Sequence, residues 1–271
     1  MQQPRVNILG VPVSAQTMSQ AVETISGWIG RRHRAYVCVA TAHVLVESRR
    51  DPALLAALNA ADMVTADGMP LVWLCRWAGH PVERVYGPDL MLELCAASAR
   101  EGWRHFLYGG SSDTLDRLQQ NLSQRFPGLR IVGADAPPFR PLSPTEDAGA
   151  VRHINAAGPD IVWVGLGGGR QDRWLAEHRD RIDAPVLIGV GAAFDFHGGS
   201  KRQAPRWMQR GGLEWLFRLA SEPRRLWRRY LVGNTLFVWY AALQRTGLRE
   251  FPLLHRGGCR PPDVSSDAPE P

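Results

Sequence analysis

The stretch Ile161-Val-Trp-Val-Gly-Leu-Gly-Gly-Gly169 decides the fold: an unbroken apolar run followed by a turn made almost wholly of glycine. A strand with one wet face alternates apolar and polar residues, whereas an unbroken run marks a strand covered on both faces. Val186-Leu-Ile-Gly-Val-Gly191 repeats the design, so these two runs are expected at the centre of a sheet. Outward from them, strand-length runs fall at 6–9, 36–40, 63–66, 84–86, 105–108 and 130–132. Helix-length segments lie between and after them, at 18–29, 52–60, 70–78, 88–99, 114–126, 145–156 and 170–178. Pro52, Pro70 and Pro88 each head one of these segments, which suits the first helical turn. Strands alternating with helices require crossover connections. The expected class is therefore α/β, Rossmann-like, with a largely parallel sheet and helices on both faces.

The alternation stops near residue 199. Residues 1–199 are read as the α/β catalytic domain, 200–245 as a basic amphipathic helical C-terminal appendage, and 246–271 as a disordered tail rich in Gly, Pro, Ser and Asp. Helices are expected at 213–220 and, once or twice, within 223–242. With 271 residues, 45% of them apolar and 21% charged, the chain supports a packed core and is not globally disordered. Cys38, Cys75, Cys95 and Cys259 form no CxxC pair, and three of them sit in apolar segments, so buried reduced thiols and a cytoplasmic setting are expected. The N-terminal residues carry no secretory pattern, and no run reaches the ~18–20 apolar residues that span a bilayer.

Charge is concentrated. Residues 201–231 hold nine Lys and Arg against two Glu, a net +7, while the whole chain is only +6. Trp207, Trp215, Phe217, Trp227, Tyr230, Phe237, Trp239 and Tyr240 are interleaved with or follow them. Arginine on one side of a helix with Trp, Phe and Leu on the other is the composition of a helix lying in a lipid interface. An ordinary solvated helical pair is the plain alternative. Nucleic acid is not expected, because no recognition motif accompanies the charge.

In an open parallel sheet the site lies at the carboxyl ends of the strands. Those ends read Thr41-Ala-His43, Asp67-Gly68, Gly109-Gly-Ser111, Gly165 to Gly169 and Gly189-Val-Gly191. Glycine lets the backbone approach a ligand, and the helix start behind it offers free N–H groups to a phosphate, so a nucleotide or sugar nucleotide is suggested. Simple tight turns account for the same glycines. Asp67 reads as a general base or as a helix cap. Asp195, set between Phe194 and Phe196, needs a hydrogen-bonding partner or a ligand. Gln171 and Asp172 follow the glycine turn and either face the site or face solvent. No DxD triplet and no metal-ligand spacing among the histidines occurs, so no metal and no cofactor are expected. The glycine turns do not complete a dinucleotide fingerprint. Two other classes stay open: an NAD- or SAM-dependent enzyme, and a non-catalytic membrane-surface protein.

Taken in order, several stretches are similar to the WecG/TagA/CpsF family of glycosyltransferases. They are Ile8-Leu-Gly-Val-Pro-Val13, Ala61-Asp-Met-Val-Thr-Ala-Asp-Gly-Met-Pro70, Arg84-Val-Tyr-Gly-Pro-Asp-Leu90, Phe106-Leu-Tyr-Gly-Gly110 and Val164-Gly-Leu-Gly167 with Gln171-Asp172. Gly189-Val-Gly-Ala-Ala-Phe-Asp195, Ala204-Pro-Arg-Trp-Met-Gln-Arg210, Gly212-Leu-Glu-Trp215 and Glu222-Pro-Arg-Arg225 complete the set. The resemblance implies an inverting, metal-independent enzyme that moves a sugar from a UDP-sugar donor to a polyprenyl-diphosphate-linked glycan acceptor. Such enzymes work in cell-surface polysaccharide synthesis, peripherally bound to the inner leaflet of the cell membrane. Oligomeric state is left open.

Carried onto this chain, the resemblance makes Asp67 the general base, with Thr41 beside it. His43, Arg84, Gly109, Gly110, Gly165, Gly167, Gln171, Asp172 and Asp195 then serve the donor. Arg202, Arg206, Arg210, Arg218, Arg224 and Arg225 serve phosphates or the acceptor. Two positions depart from the family pattern: His43 stands where Asn is common, and Asp172 where Glu is common. The identity of the donor sugar is therefore open.

Overall fold

A computed structural model describes residues 4–254, and its eight strands form one sheet. Strands β1 (Arg5–Ile8), β2 (Val11–Ser14), β3 (Ala35–Ala40), β4 (Met63–Ala66), β5 (Arg104–Gly109), β6 (Arg130–Asp135), β7 (Ile161–Gly165) and β8 (Val186–Gly189) lie in the order β1-β2-β4-β3-β8-β7-β5-β6. Every neighbouring pair is parallel except the β1–β2 hairpin. The half built from β1 to β4 meets the half built from β5 to β8 at β3 and β8, in the middle of the sheet. The two strands read as central, β7 and β8, do lie inside it. Helices on both faces complete the α/β fold.

The helices are α1 (Met18–Gly30), α2 (Ala42–Ser48), α3 (Pro52–Ala60), α4 (Met69–Trp77), α5 (Gly87–Glu101), α6 (Ser112–Arg125) and α7 (Pro144–Ala157). They continue with α8 (Gly168–His178), α9 (Ala193–His197), α10 (Arg206–Arg210), α11 (Glu214–Ser221), α12 (Pro223–Trp227) and α13 (Gly233–Arg245). A π-helical turn, Arg228–Val232, joins α12 to α13.

Strand periodicity divides the core in two. Tyr36, Cys38 and Ala40 of β3 enter one cluster, Val37 and Val39 the other; Val162 and Val164 of β7 enter the first, Ile161 and Trp163 the second. The described cysteines Cys38, Cys75 and Cys95 are free and buried. Cys259 lies outside the described residues.

The expected strand at 84–86 is not one. β4 is already flanked by β2 and β3, so no edge is free for it. Only the Val85 N–H reaches the Ala66 carbonyl, at 3.1 Å, and the chain then enters α5. β2 escaped notice because Pro12 breaks its pattern. Its parallel pairing with β4 is confined to Ser14 opposite Thr65, so the N–H that proline lacks is not needed there. α2, α9 and α10 are also helices that the pattern did not reveal.

The C-terminal segment is tied to the body. Phe237 of α13 is buried where that helix packs on α2. Gln244 accepts from the Leu9 N–H at 2.9 Å and donates to the Asn7 carbonyl at 3.0 Å. Beyond α13, Phe251 is buried, with the Arg49 guanidinium 5.0 Å from its ring centroid. The rest of the expected tail, 255–271, lies outside the described residues. Among the described residues no helix is long and apolar enough to cross a membrane.

Candidate active site

At the carboxyl ends of β3, β4, β7 and β8 the sheet opens into a cleft of about 430 Å³. Its floor is made by Gly110, Gly165, Gly167, Gly168 and Gly191, with Gln171 in the wall. Thr41, at the end of β3, and Asp67, at the end of β4, stand at one side of it. Lys201, Arg218, Arg225 and Arg229, all from the segment after β8, stand over it.

A second groove, of about 390 Å³, is largely apolar: Met69 and Trp73 of α4 face Leu213 and Trp215 at the start of α11 and Tyr230, Phe237 and Val238 beyond. The two cavities share Thr41, Asp67, Arg218 and Arg229. A third groove, about 810 Å³, lies on the far side of Arg84 and is lined by Arg76, Asp89, Arg125, Arg206 and Arg210.

Asp67 is 9% exposed. It does not cap α4, whose N-cap is Gly68 with no side-chain bond. Its Oδ1 instead accepts from the Gly87 N–H at 3.2 Å, at the start of α5. Burial pushes its carboxyl up to about 6; the nearby Glu214 adds to this, and Arg84, the Gly87 N–H and Arg218 oppose it. It is thus ionised at neutral pH but more basic than an ordinary aspartate.

The remaining residues singled out by the sequence divide by place. Gln171 is 4% exposed and lies against the β8 turn, where a Cβ on Gly191 would meet its Oε1 at 3.4 Å. Asp195 lines the cleft and pairs with Lys201 Nζ at 2.9 Å, the partner its apolar neighbours demanded. Gly109 lines none of the three cavities. Its φ is +122°, and a Cβ there would lie 2.6 Å from the Gly165 carbonyl carbon, so it allows β5 and β7 to close together. His43 lines the apolar groove and not the cleft, and burial with Arg229 nearby lowers its imidazole to about 4.

Arg84 also stays out of the glycine-floored cleft. It bonds the Asp67 carbonyl oxygen and Glu214, and lies 3.9 Å over the Tyr86 ring. Asp172 lines none of the three cavities and is not solvent-exposed: it is 1% exposed, packed towards Cys38 of β3, and burial pushes its carboxyl up to about 7. Of the six arginines expected to meet phosphates, Arg218 and Arg225 reach the cleft. Arg206 and Arg210 line the third groove, Arg206 bonding Asp89 at 2.7 Å. Arg202 and Arg224 are exposed and line none of the three cavities. Among the described residues no three His, Cys, Asp or Glu side chains gather as a metal site.

The glycosyl transferase WecG/TagA/CpsF family model matches residues 6–250, nearly all of the folded chain. The chain belongs to this family. It is therefore a glycosyltransferase. Similar proteins include one of Staphylococcus aureus, 26% identical over 249 residues, which covers 91% of this chain and 95% of that one. Another, from Bacillus spizizenii, is 28% identical over 205 residues, covering 75% and 77%. Both carry the name N-acetylglucosaminyldiphosphoundecaprenol N-acetyl-beta-D-mannosaminyltransferase.

Within this family member, Lys201, Glu214 and Arg229 were not singled out by the sequence as site residues. Arg218, Arg225 and Arg229 follow one another at intervals of seven and four, the spacing of one helical face, although they fall in α11, α12 and the π-helical turn. That spacing was the available cue. Glu214 had none, because its partners Arg84 and Tyr86 are more than a hundred residues away in sequence.

Proposed function

We propose that the chain moves a sugar from a UDP-sugar to a polyprenyl-diphosphate-linked saccharide at the inner membrane surface, by direct displacement with inversion. One observation carries this reading: Thr41, Asp67, Arg218 and Arg229 line both the glycine-floored cleft and the apolar groove. A sugar nucleotide calls for close backbone approach, N–H groups at a helix start and cations; the cleft and the first turn of α8 offer all three. A polyprenyl chain calls for apolar walls, which the second groove has. The two substrates would then meet at Asp67.

In this reading the Asp67 carboxylate takes the proton of the acceptor hydroxyl as it attacks the anomeric carbon. A base poised near 6 is ionised at neutral pH and still basic enough to accept the proton. Charge gathers on the departing diphosphate. Arg218, Arg225 and Arg229 stand where fixed guanidinium groups stabilise it, each able to hold two oxygens at once. The relatives' names make N-acetylmannosamine the first sugar, and an N-acetylglucosaminyl-diphosphate lipid the first acceptor, to be tested.

The test measures UDP release from a panel of UDP-sugars with that acceptor, in EDTA. Turnover in EDTA is expected for at least one pair. Asp67→Asn is expected to lower kcat by about 10²–10⁴-fold while donor affinity stays within about threefold. Near-normal turnover by Asp67→Asn, or activity that needs added magnesium, overturns the mechanism.

A further inference from the structure

Glu214 opens α11, in the C-terminal segment, yet its carboxylate serves the body of the protein. Its Oε2 accepts from Arg84 Nη2 at 2.5 Å and its Oε1 from the Tyr86 hydroxyl at 3.0 Å. Both donors lie in the irregular stretch between α4 and α5. The pair is well enclosed, with side chains 16% exposed for Arg84 and 14% for Glu214. Arg84 then reaches on, its Nε donating to the Asp67 carbonyl oxygen. Gly87, the residue after Tyr86, donates its N–H to Asp67 Oδ1 at 3.2 Å. Two routes therefore run from one carboxylate on α11 to Asp67: one through the Arg84 guanidinium to its backbone, the other through Tyr86 and Gly87 to its side chain.

We propose that Glu214 is a positioning residue, which sets the orientation and basicity of Asp67 only when α11 is docked on the body. This rests on the reading of Asp67 as the general base. A buried ion pair is a costly way to hold a helix, since apolar residues of similar volume pack as stably. Glu214 does something an apolar residue cannot. The charged groups facing Asp67 are Arg84 from the stretch before α5, Arg218 from α11, and Arg229 from the π-helical turn; neutral His43 of α2 lines the same groove. Arg84 and Arg218 favour a weaker base. Glu214 is the acid that counters them, and it also keeps Arg84 turned towards the Asp67 backbone. Undocking α11 removes Glu214 and Arg218 and releases Arg84 together, so the surroundings of the base are set only when the cationic segment covers the cleft.

Glu214→Gln tests this, with Tyr86→Phe as the milder variant that keeps the Arg84 pair. Hydrogen exchange is followed at the Val85 and Gly87 amides, and kcat is followed against pH. Glu214→Gln is expected to speed exchange at both amides by about tenfold or more and to lower kcat by about 5–50-fold, with KM within about threefold. The acidic limb of the kcat profile is expected to move to lower pH by at least about 0.5 unit, since a negative charge beside the base is gone. Tyr86→Phe is expected to speed exchange at Gly87 by a few fold and to leave the limb in place. Lower kcat with an unmoved limb and unmoved exchange means that Glu214 merely packs α11, and overturns the proposal. If Glu214→Gln does not fold, unchanged exchange at Gly87 in Tyr86→Phe overturns it too. The exchange measurement needs no substrate. Absence of wild-type turnover therefore counts against the function proposed above, while the exchange still decides the coupling.

Discussion

Asp172 carries a carboxyl group into the interior between α8 and β3. It is 1% exposed, and the Cys38 thiol of β3 is the hydrogen-bonding group beside it. Its folded value of about 7 lies well above the ~4 of an unfolded aspartate. Between those two values the folded protein keeps a proton that the unfolded chain gives up, so stability falls as pH rises from about 4 to about 7 and stays low above that. Asp172→Asn keeps the shape and removes the titration. Its advantage over the wild type is expected to grow by about 1–3 kcal/mol between pH 5 and pH 8, read from urea unfolding at the two pH values. An advantage that is the same at both pH values contradicts the protonated buried carboxyl. Asp67, raised to about 6, contributes the same sign of pH dependence to both proteins and cancels in the comparison.

Among the elements, β5 and β7 depend on glycine where their carboxyl ends meet. A Cβ on Gly109 would meet the Gly165 carbonyl carbon at 2.6 Å and its oxygen at 2.7 Å, and both atoms are backbone that cannot swing away. The φ of +122° adds strain for any L side chain. Gly109→Ala is expected to cost about 2–5 kcal/mol in urea unfolding. Gly167→Ala is the comparison: φ is +77° there, but nothing lies within 4 Å, so only the backbone term of about 1 kcal/mol is expected. Equal costs at the two sites contradict the close approach.

This contrast also explains what the sequence made legible. The run 161–169 announced a buried strand and a glycine turn, and the strand-end rule led to Thr41, Asp67, Gln171 and Asp195 around one cleft. Nothing local separates Gly109 from Gly110 by role; only the neighbouring strand does. The first hairpin was hidden for a related reason. Its turn places Leu9 at φ +53° and Gly10 at φ +80°, and leucine is not a residue that advertises a left-handed turn. The arginines were visible as charge, but which of them reach the cleft depends on how α11, α12 and the π-helical turn pack.

For the whole molecule, the proposed lipid-linked acceptor makes the apolar groove and its rim the face to test. Trp73 and Trp77 of α4 are 41% and 65% exposed, and Val238 of α13 is 66% exposed. Trp73 and Val238 line the groove, and the Arg245 guanidinium sits 5.1 Å from the Trp77 ring centroid, so the ends of α4 and α13 share one side of the molecule. Exposed tryptophan beside arginine suits the headgroup layer, where the ring meets acyl chains and the cation meets lipid phosphates. Deleting the C-terminal segment is a poor test of this, because it strips buried Phe237, Tyr230 and Phe251 from the core as well. Point changes at exposed positions leave that packing alone. Trp77→Ser with Val238→Ser is expected to weaken binding to vesicles containing anionic lipid by about tenfold or more, with the melting temperature within a few degrees of wild type. Raising salt is expected to weaken both proteins by a common factor, since it screens the arginines and leaves the apolar contact untouched. Equal vesicle binding by the double variant and the wild type removes this face as the contact and leaves the exposed arginines as the sole anchor.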